Sequence, residues 1–192
     1  MGVKIRRTTM RSRRQTALSS PVSLLCFGLT VVIGVALDQW SKFYSIAHLS
    51  RRQSFDPQGR IDFHTRIHAF IPGWLQFEVI PNYGAVFGVG QGKRFLFLSV
   101  SVAAILFIVY LFTASGRQHI YQIILGMLMA GVLGNLYDRA RFGYVRDMIH
   151  ALPQWGVFPY IFNIADSLLC VGVTLMIVHS FFQSSGSPRR RS

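Results

Sequence analysis

Acidic residues are scarce in this chain. Seven of its 192 residues are Asp or Glu, against 20 Lys and Arg, and the formal net charge is +13. With so few carboxylates, each one calls for its own explanation. Cysteine is scarcer still: Cys26 and Cys170 both fall inside apolar runs, which excludes a disulfide framework and a C-x-x-C metal or redox site. Both are expected to behave as buried small hydrophobes. No internal repeat is visible, which argues against the repeated halves of many transporters. Charged residues of both signs make up only 14% of the chain, well under the roughly 25% usual for soluble domains.

What fills the chain instead is apolar: 51% hydrophobic residues, 16 of them Phe. Four runs are long enough to cross a ~30 Å hydrocarbon core, at about 22–44, 95–113, 119–137 and 160–182. The fold class that follows is mainly α and integral to a membrane: four transmembrane helices with a small extracytoplasmic β-rich cradle between helices 1 and 2. The first run follows Lys4, Arg6, Arg7, Arg11, Arg13 and Arg14, as in a signal peptide. It nevertheless continues into Asp38, Trp40, Lys42 and Tyr44 without a small-x-small cleavage site, so a retained first helix is expected. The expected organisation is a flexible basic cytoplasmic leader at 1–21, a four-helix domain at 22–182 with an outer loop at 45–94, and a basic cytoplasmic tail at 183–192.

The positive charge invites a nucleic-acid partner, but the basic residues flank apolar runs and no recognition module lies between them. Anionic phospholipid headgroups are the expected neighbours, and no nucleic acid. With the N-terminus inside, each side of the membrane holds ten Lys and Arg. The inner ten lie in short segments near helix ends, where charge bias acts, so both termini are expected in the cytoplasm.

Connectivity then gathers the expensive polar residues on one membrane face: Asp38 and Lys42, Asn82, Asn135 with Asp138 and Arg139, Asp147, and Asn163 with Asp166. Asp147 and Asp166 are separated by Pro153, Gly156 and Pro159, which disfavour a continuous helix that would hold them about 28 Å apart. A chain that turns back puts Asp147 in the loop after the third span and Asp166 in the first turns of the fourth. Asn163, Asp166 and Cys170 then share a helix face directed into the bundle. In the third span Gly126, Ala130 and Gly134 form a small-residue stripe suited to close helix approach. In the outer loop Leu75, Phe77 and Val79 alternate as in a strand, and "PNYG" at 81–84 signals a turn. His64 and His68 have metal-ligand spacing, but without a third ligand they are expected to be a surface pair.

These residues carry a family resemblance. "DQWSK" at 38–42, "NYGAVFG" at 82–88, "AGVLGNLYDR" at 130–139, "GYVRDMI" at 143–149 and "FNIAD" at 162–166 resemble, in this order, the blocks of the prolipoprotein signal peptidase (signal peptidase II) family. The resemblance implies a catalytic pair at Asp147 and Asp166, with supporting or substrate-binding roles for Asp38, Lys42, Asn82, Gly84, Gly131, Asn135, Arg139, Asn163 and Ala165. It also implies an aspartic endopeptidase of the bacterial inner membrane, active at the extracytoplasmic face. Its substrate would be diacylglyceryl-modified prolipoproteins, cut N-terminal to the lipidated cysteine. No cofactor and no metal are expected, and a single copy should suffice.

Plainer roles compete at several positions: an i,i+4 ion pair for Asp38 and Lys42, a packing residue at Gly131, an interfacial cap for Asp138 and Arg139. The sequence departs from the family pattern at Ala130, Arg146, Met148 and Gly88, and Arg146 is expected to point to solvent or headgroups. The chemistry stands without the name, since two close carboxylates do not both ionise easily and can share one proton while activating water. The competing reading is a small channel or transporter using Asp38, Asp138, Asp147 and Asp166 as a proton or ion relay. A passive scaffold leaves the paired aspartates unexplained.

Overall fold

The structure is a computed structural model that describes residues 16–84, 93–155 and 160–185. Four helices are long and apolar enough to span a membrane: α1 (Pro21–Leu49), α2 (Arg94–Ala114), α3 (His119–Arg141) and α4 (Ile164–Ser185). The first three cover the runs expected for them, whereas α4 starts four residues after the expected 160, because Ile161 and Phe162 pair as a strand. α1 begins with Pro at its first position and with the Ser20 hydroxyl accepting a hydrogen bond from the Ser23 N–H at 3.3 Å, two devices that satisfy or remove unpaired N–H groups at a helix start. Its 29 residues make a rod of about 43 Å, longer than the ~30 Å hydrocarbon core, and it passes directly into strand β1 at Ser50.

α3 is the central helix. In its most apolar stretch 61% of residues are buried, against 11–17% in the other three, and it packs on α1, α2 and α4. The small-residue stripe is what permits this. A Cβ added to Gly126 would meet Thr30, Ala130 lies against Gly34, and a Cβ on Gly134 would meet Asp38, so the two helices run parallel with matched steps of four. In lipid, where apolar surface has no water to escape, such van der Waals contact is the main adhesive. The outer faces carry large apolar side chains, among them Phe95, Phe107 and Phe182.

The small sheet is wider than the outer loop alone accounts for. β1 (Ser50–Phe55) and β2 (Ile61–Thr65) form an antiparallel hairpin. β3 (His68–Ile71), β4 (Leu75–Asn82), β5 (Val145–Ala151) and β6 (Ile161–Phe162) form a four-stranded sheet in that order. Half of it therefore comes from the segment between α3 and α4. The sequence gives no strand signal there because Val145, Arg146, Asp147 and Met148 are all buried, and alternation requires one wet face. Phe63, Val79, Tyr144 and Met148 make a second core beneath the sheet.

Two expectations about burial fail. Cys170 is exposed and Cys26 only half-buried. The inward line of α4 is Ala165, Leu169 and Gly172, which touch Gly131 and Leu128, and Cys170 lies about 100° beyond Leu169. The face drawn through Asn163 fails because Asn163 precedes the helix. His64 and His68 are exposed, as expected, but sit on strands of different sheets. Gly88 and the remainder of 85–92, the leader up to residue 15 and the tail from 186 lie outside the described residues.

Candidate active site

Asn163 organises the site. Its side-chain oxygen accepts from the Asp166 N–H at 2.9 Å, and the Asp166 carboxylate accepts from the Asn163 N–H at 3.2 Å. This reciprocal pair is a capping box in which Asp166 takes the acidic third position of α4. The first turn of the helix is thus closed by the same carboxylate that faces the site. The Asn163 amide then reaches across to β5 and donates to Asp147 Oδ1 at 2.7 Å, with Asn135 Oδ1 as a further acceptor at 3.1 Å.

Asp147 is 1% exposed. Besides Asn163 it has Asn82 at the end of β4, whose Nδ2 donates to Asp147 Oδ2 at 2.9 Å. Asn82 is itself fixed, because its Oδ1 accepts the Gly84 N–H at 2.9 Å. The Gly84 carbonyl accepts from Arg139 Nη2 at 3.1 Å, and the Arg139 guanidinium lies 4.9 Å over the Phe97 ring. On the other carboxylate, Asp166 Oδ1 accepts from Asn135 Nδ2 at 2.8 Å. Burial and, after it, the charge of neighbouring Asp166 push Asp147 up to about 7; hydrogen bonds from Asn82 and Asn163 and the charge of Lys42 oppose the rise. A carboxyl that holds a proton near neutral pH beside a second carboxyl is suited to acid–base work.

A layer of fixed charge lies behind. Lys42 is fully buried, 2.8 Å from Asp38 and 3.2 Å from Asp138, so the i,i+4 pair expected from the sequence has a third member. Asp38 Oδ1 accepts the Ala165 N–H at 2.9 Å, tying α1 to the start of α4. Gly131 is where α3 meets that turn: a Cβ there would lie 2.6 Å from the Ala165 carbonyl oxygen. All eleven candidate residues are brought to one end of the bundle.

Two side chains contradict their expected placement. Asp138 is fully buried, not an interfacial cap, and Arg146 is 6% exposed and turned inward onto it. A guanidinium facing solvent would have left Lys42 as the one cation paired with Asp138 among the described residues. Gln39 was not among the candidates, although it bridges Asp38, Asp138 and Arg146. Its signal was an uncharged polar residue inside an apolar span, beside Asp38. Among the described residues no three His, Cys, Asp or Glu side chains gather as metal ligands do.

Four spans, a small sheet and two hydrogen-bonded aspartates at one end of the bundle, one buried and one half-buried, define a membrane enzyme with hydrolase-type chemistry. The sequence profile of signal peptidase II matches residues 30–182, and the chain belongs to that family of membrane proteases, which process the signal peptides of lipoprotein precursors. It is 32% identical to a lipoprotein signal peptidase of Acinetobacter baumannii over 174 residues, 88% of this chain and 90% of that protein. To one of Enterococcus faecalis it is 33% identical over 157 residues, 81% and 88% of the two chains. A solved bacterial membrane enzyme, determined by the in meso method at 2.3 Å, superposes with a TM-score of 0.69 at 30% identity, over 86% of this chain and 93% of that one. The chain is a multi-pass membrane protein of this bacterial family.

Proposed function

We propose that this chain is an aspartic endopeptidase that removes the signal peptide from diacylglyceryl-modified prolipoproteins, cleaving N-terminal to the lipidated cysteine. The observation that carries the reading is the joint grip of Asn163, whose side-chain amide donates to the Asp147 carboxyl and whose backbone N–H donates to that of Asp166; the proposed mechanism sets one water between the two.

In the resting pair one proton is shared, and Asp147 holds it. The ionised Asp166 takes a proton from water as the water oxygen attacks the scissile carbonyl, and Asp147 donates a hydrogen bond to the developing oxyanion. Collapse of the tetrahedral intermediate breaks the C–N bond, and the leaving amine takes the proton that Asp166 acquired from water. Asp147 has kept its own, so the pair ends in its starting state. Asn82, Asn135 and Asn163 orient the two carboxyls. Arg139 braces Gly84 at the edge where a peptide would lie.

The reading includes an orientation with leader and tail in the cytoplasm and the site at the extracytoplasmic surface, where signal helix and acyl chains stay in lipid while the scissile bond meets water. Prolipoproteins and phospholipids are its partners, and one copy contains both aspartates. The test is incubation of purified full-length chain in lipid nanodiscs with a lipid-modified precursor and with the same precursor unmodified. Cleavage of the lipidated form alone, with the new N-terminus at the modified cysteine, supports the reading. Ion flux in sealed vesicles without cleavage would replace it with the relay.

A further inference from the structure

Arg146 directly precedes Asp147, and its peptide is held from both sides. Its N–H donates to Asp138 Oδ2 at 3.0 Å, and its carbonyl accepts from Asn163 Nδ2 at 3.5 Å. The side chain repeats the grip: Nε donates to Asp138 Oδ2 at 3.1 Å, Nη2 donates to Asp138 Oδ1 at 2.6 Å and to Gln39 Oε1 at 2.7 Å. The guanidinium plane lies 4.6 Å over the Phe142 ring. Only a planar fork makes the two parallel bonds to one carboxylate; an ammonium makes a point contact. The result joins the last turn of α3 to the first residues of β5, one peptide away from Asp147.

Charge is closed as well. Asp38 and Asp138 are matched by Lys42 and Arg146, all four at most 6% exposed. Buried ion pairs contribute little net stability compared with apolar groups of equal volume; what this pair supplies is geometry and field. The charged groups around Asp147 are Asp166 from α4, Lys42 and Asp38 from α1, Arg139 and Asp138 from α3, and Arg146 from its own strand. From β4 the nearest side chain is the neutral Asn82, and Glu78 is paired with His150 at 2.8 Å. β6 contributes only Ile161 and Phe162.

We propose that Arg146 is a positioning residue for Asp147: gripped by Asp138 and Gln39, it fixes the strand that carries the aspartate and cancels the Asp138 charge beside the reacting pair. The proposal rests on the two-aspartate reading above. It assigns no contact with substrate to Arg146.

The test measures kcat and KM against pH for the full-length chain in nanodiscs with a lipid-modified precursor. In Arg146→Lys the charge stays but the fork is lost; kcat should fall at least about tenfold, since small misplacements of a reacting group cost up to ~10², with KM within about threefold and the pH optimum unmoved. In Arg146→Gln a positive charge leaves, so the optimum should move up by about one unit. In Asp138→Asn the positive charge is left unmatched and the optimum should move down. The double variant Asp138→Asn/Arg146→Gln removes both charges and should return the optimum to its native position with kcat still low. Native kcat in Arg146→Lys would overturn the positioning role, as would an unmoved optimum in whichever single charge variants fold. A native chain that fails to cleave the precursor would instead sink the function itself, which keeps the two failures apart.

Discussion

Asp147→Asn should abolish cleavage and also loosen the site, and the structure gives a reason for both. Asp147 offers one oxygen to Asn82 Nδ2 and the other to Asn163 Nδ2. Neither amide is free to turn over, because Asn82 Oδ1 accepts the Gly84 N–H and Asn163 Oδ1 accepts the Asp166 N–H. An asparagine at 147 must therefore point its own NH₂ at a donor, whichever way it flips. An unsatisfied or opposed buried donor costs about 1–3 kcal/mol, which is the destabilisation expected. The rate loses an acid–base member commonly worth ~10² to 10⁴, and more if the pair acts as a unit. Cleavage of a lipid-modified precursor by gel shift, and the thermal midpoint of the purified protein in detergent, measure the two effects separately. A variant that cleaves at more than a tenth of the native rate refutes the catalytic assignment. A variant as stable as the native chain refutes the donor-opposition argument. Asp138→Asn is no neutral control, because Asp138 holds Arg146 and Lys42; Gly28→Ala, which meets nothing within 4 Å, serves better.

Asp147 titrates at about 7 in the folded protein against an ordinary 3.8. A folded value raised in this way gives stability that is full below about pH 4 and is lost as pH rises through about 7, and the shared proton needed for cleavage is lost over the same upper range. Cleavage should therefore decline above about pH 7 to 8, and a pH profile flat to 9 would contradict the assignment. In Gly134→Ala the new Cβ would lie 2.5 Å from Asp38 Oδ2 and 3.1 Å from the Ala165 Cβ; overpacking of this kind costs ~1–3 kcal/mol, and a lowered thermal midpoint with at least about tenfold slower cleavage is expected, whereas an unchanged midpoint would show that α1 gives way. Cleavage should persist after EDTA treatment, since two aspartates activate water on their own; loss restored by added zinc would bring His64 and His68 back into the argument. Reporter fusions should place residue 192 in the cytoplasm and residue 58 outside, and an externally active C-terminal reporter would reverse the orientation.

The legible part of the fold was the part governed by periodicity and length. Four apolar runs gave four helices within a few residues, and the stripe at Gly126, Ala130 and Gly134 indicated where a neighbour could come close. β4 was legible because apolar and polar residues alternate from Leu75 to Val79. β5 was not, because a strand buried on both sides has no alternation to show. The polar residues of the site were legible by their expense, since carboxylates and amides in apolar surroundings stand out whatever their partners. Partner choice was another matter. Arg146 reads as a surface residue on any scale of side-chain polarity, and the positions of Asp138 on α3, eight residues earlier in the chain, and of Gln39 on α1 turn it inward.

By itself, then, the sequence determined the number of spans, their order, and, through connectivity, that Asp38, Asn82, Asn135, Asp147, Asn163 and Asp166 meet at one end. Those follow from hydrophobic transfer and chain continuity, which act residue by residue. The tertiary structure decided which donor faces which oxygen: that Asn163 spans both aspartates, that Asn82 is locked by Gly84, and that Lys42 lies between two carboxylates with Arg146 completing the charge balance. Hydrogen bonds and buried ion pairs depend on separations of tenths of an ångström between groups far apart in the chain, and such separations exist only once the helices and the sheet have packed.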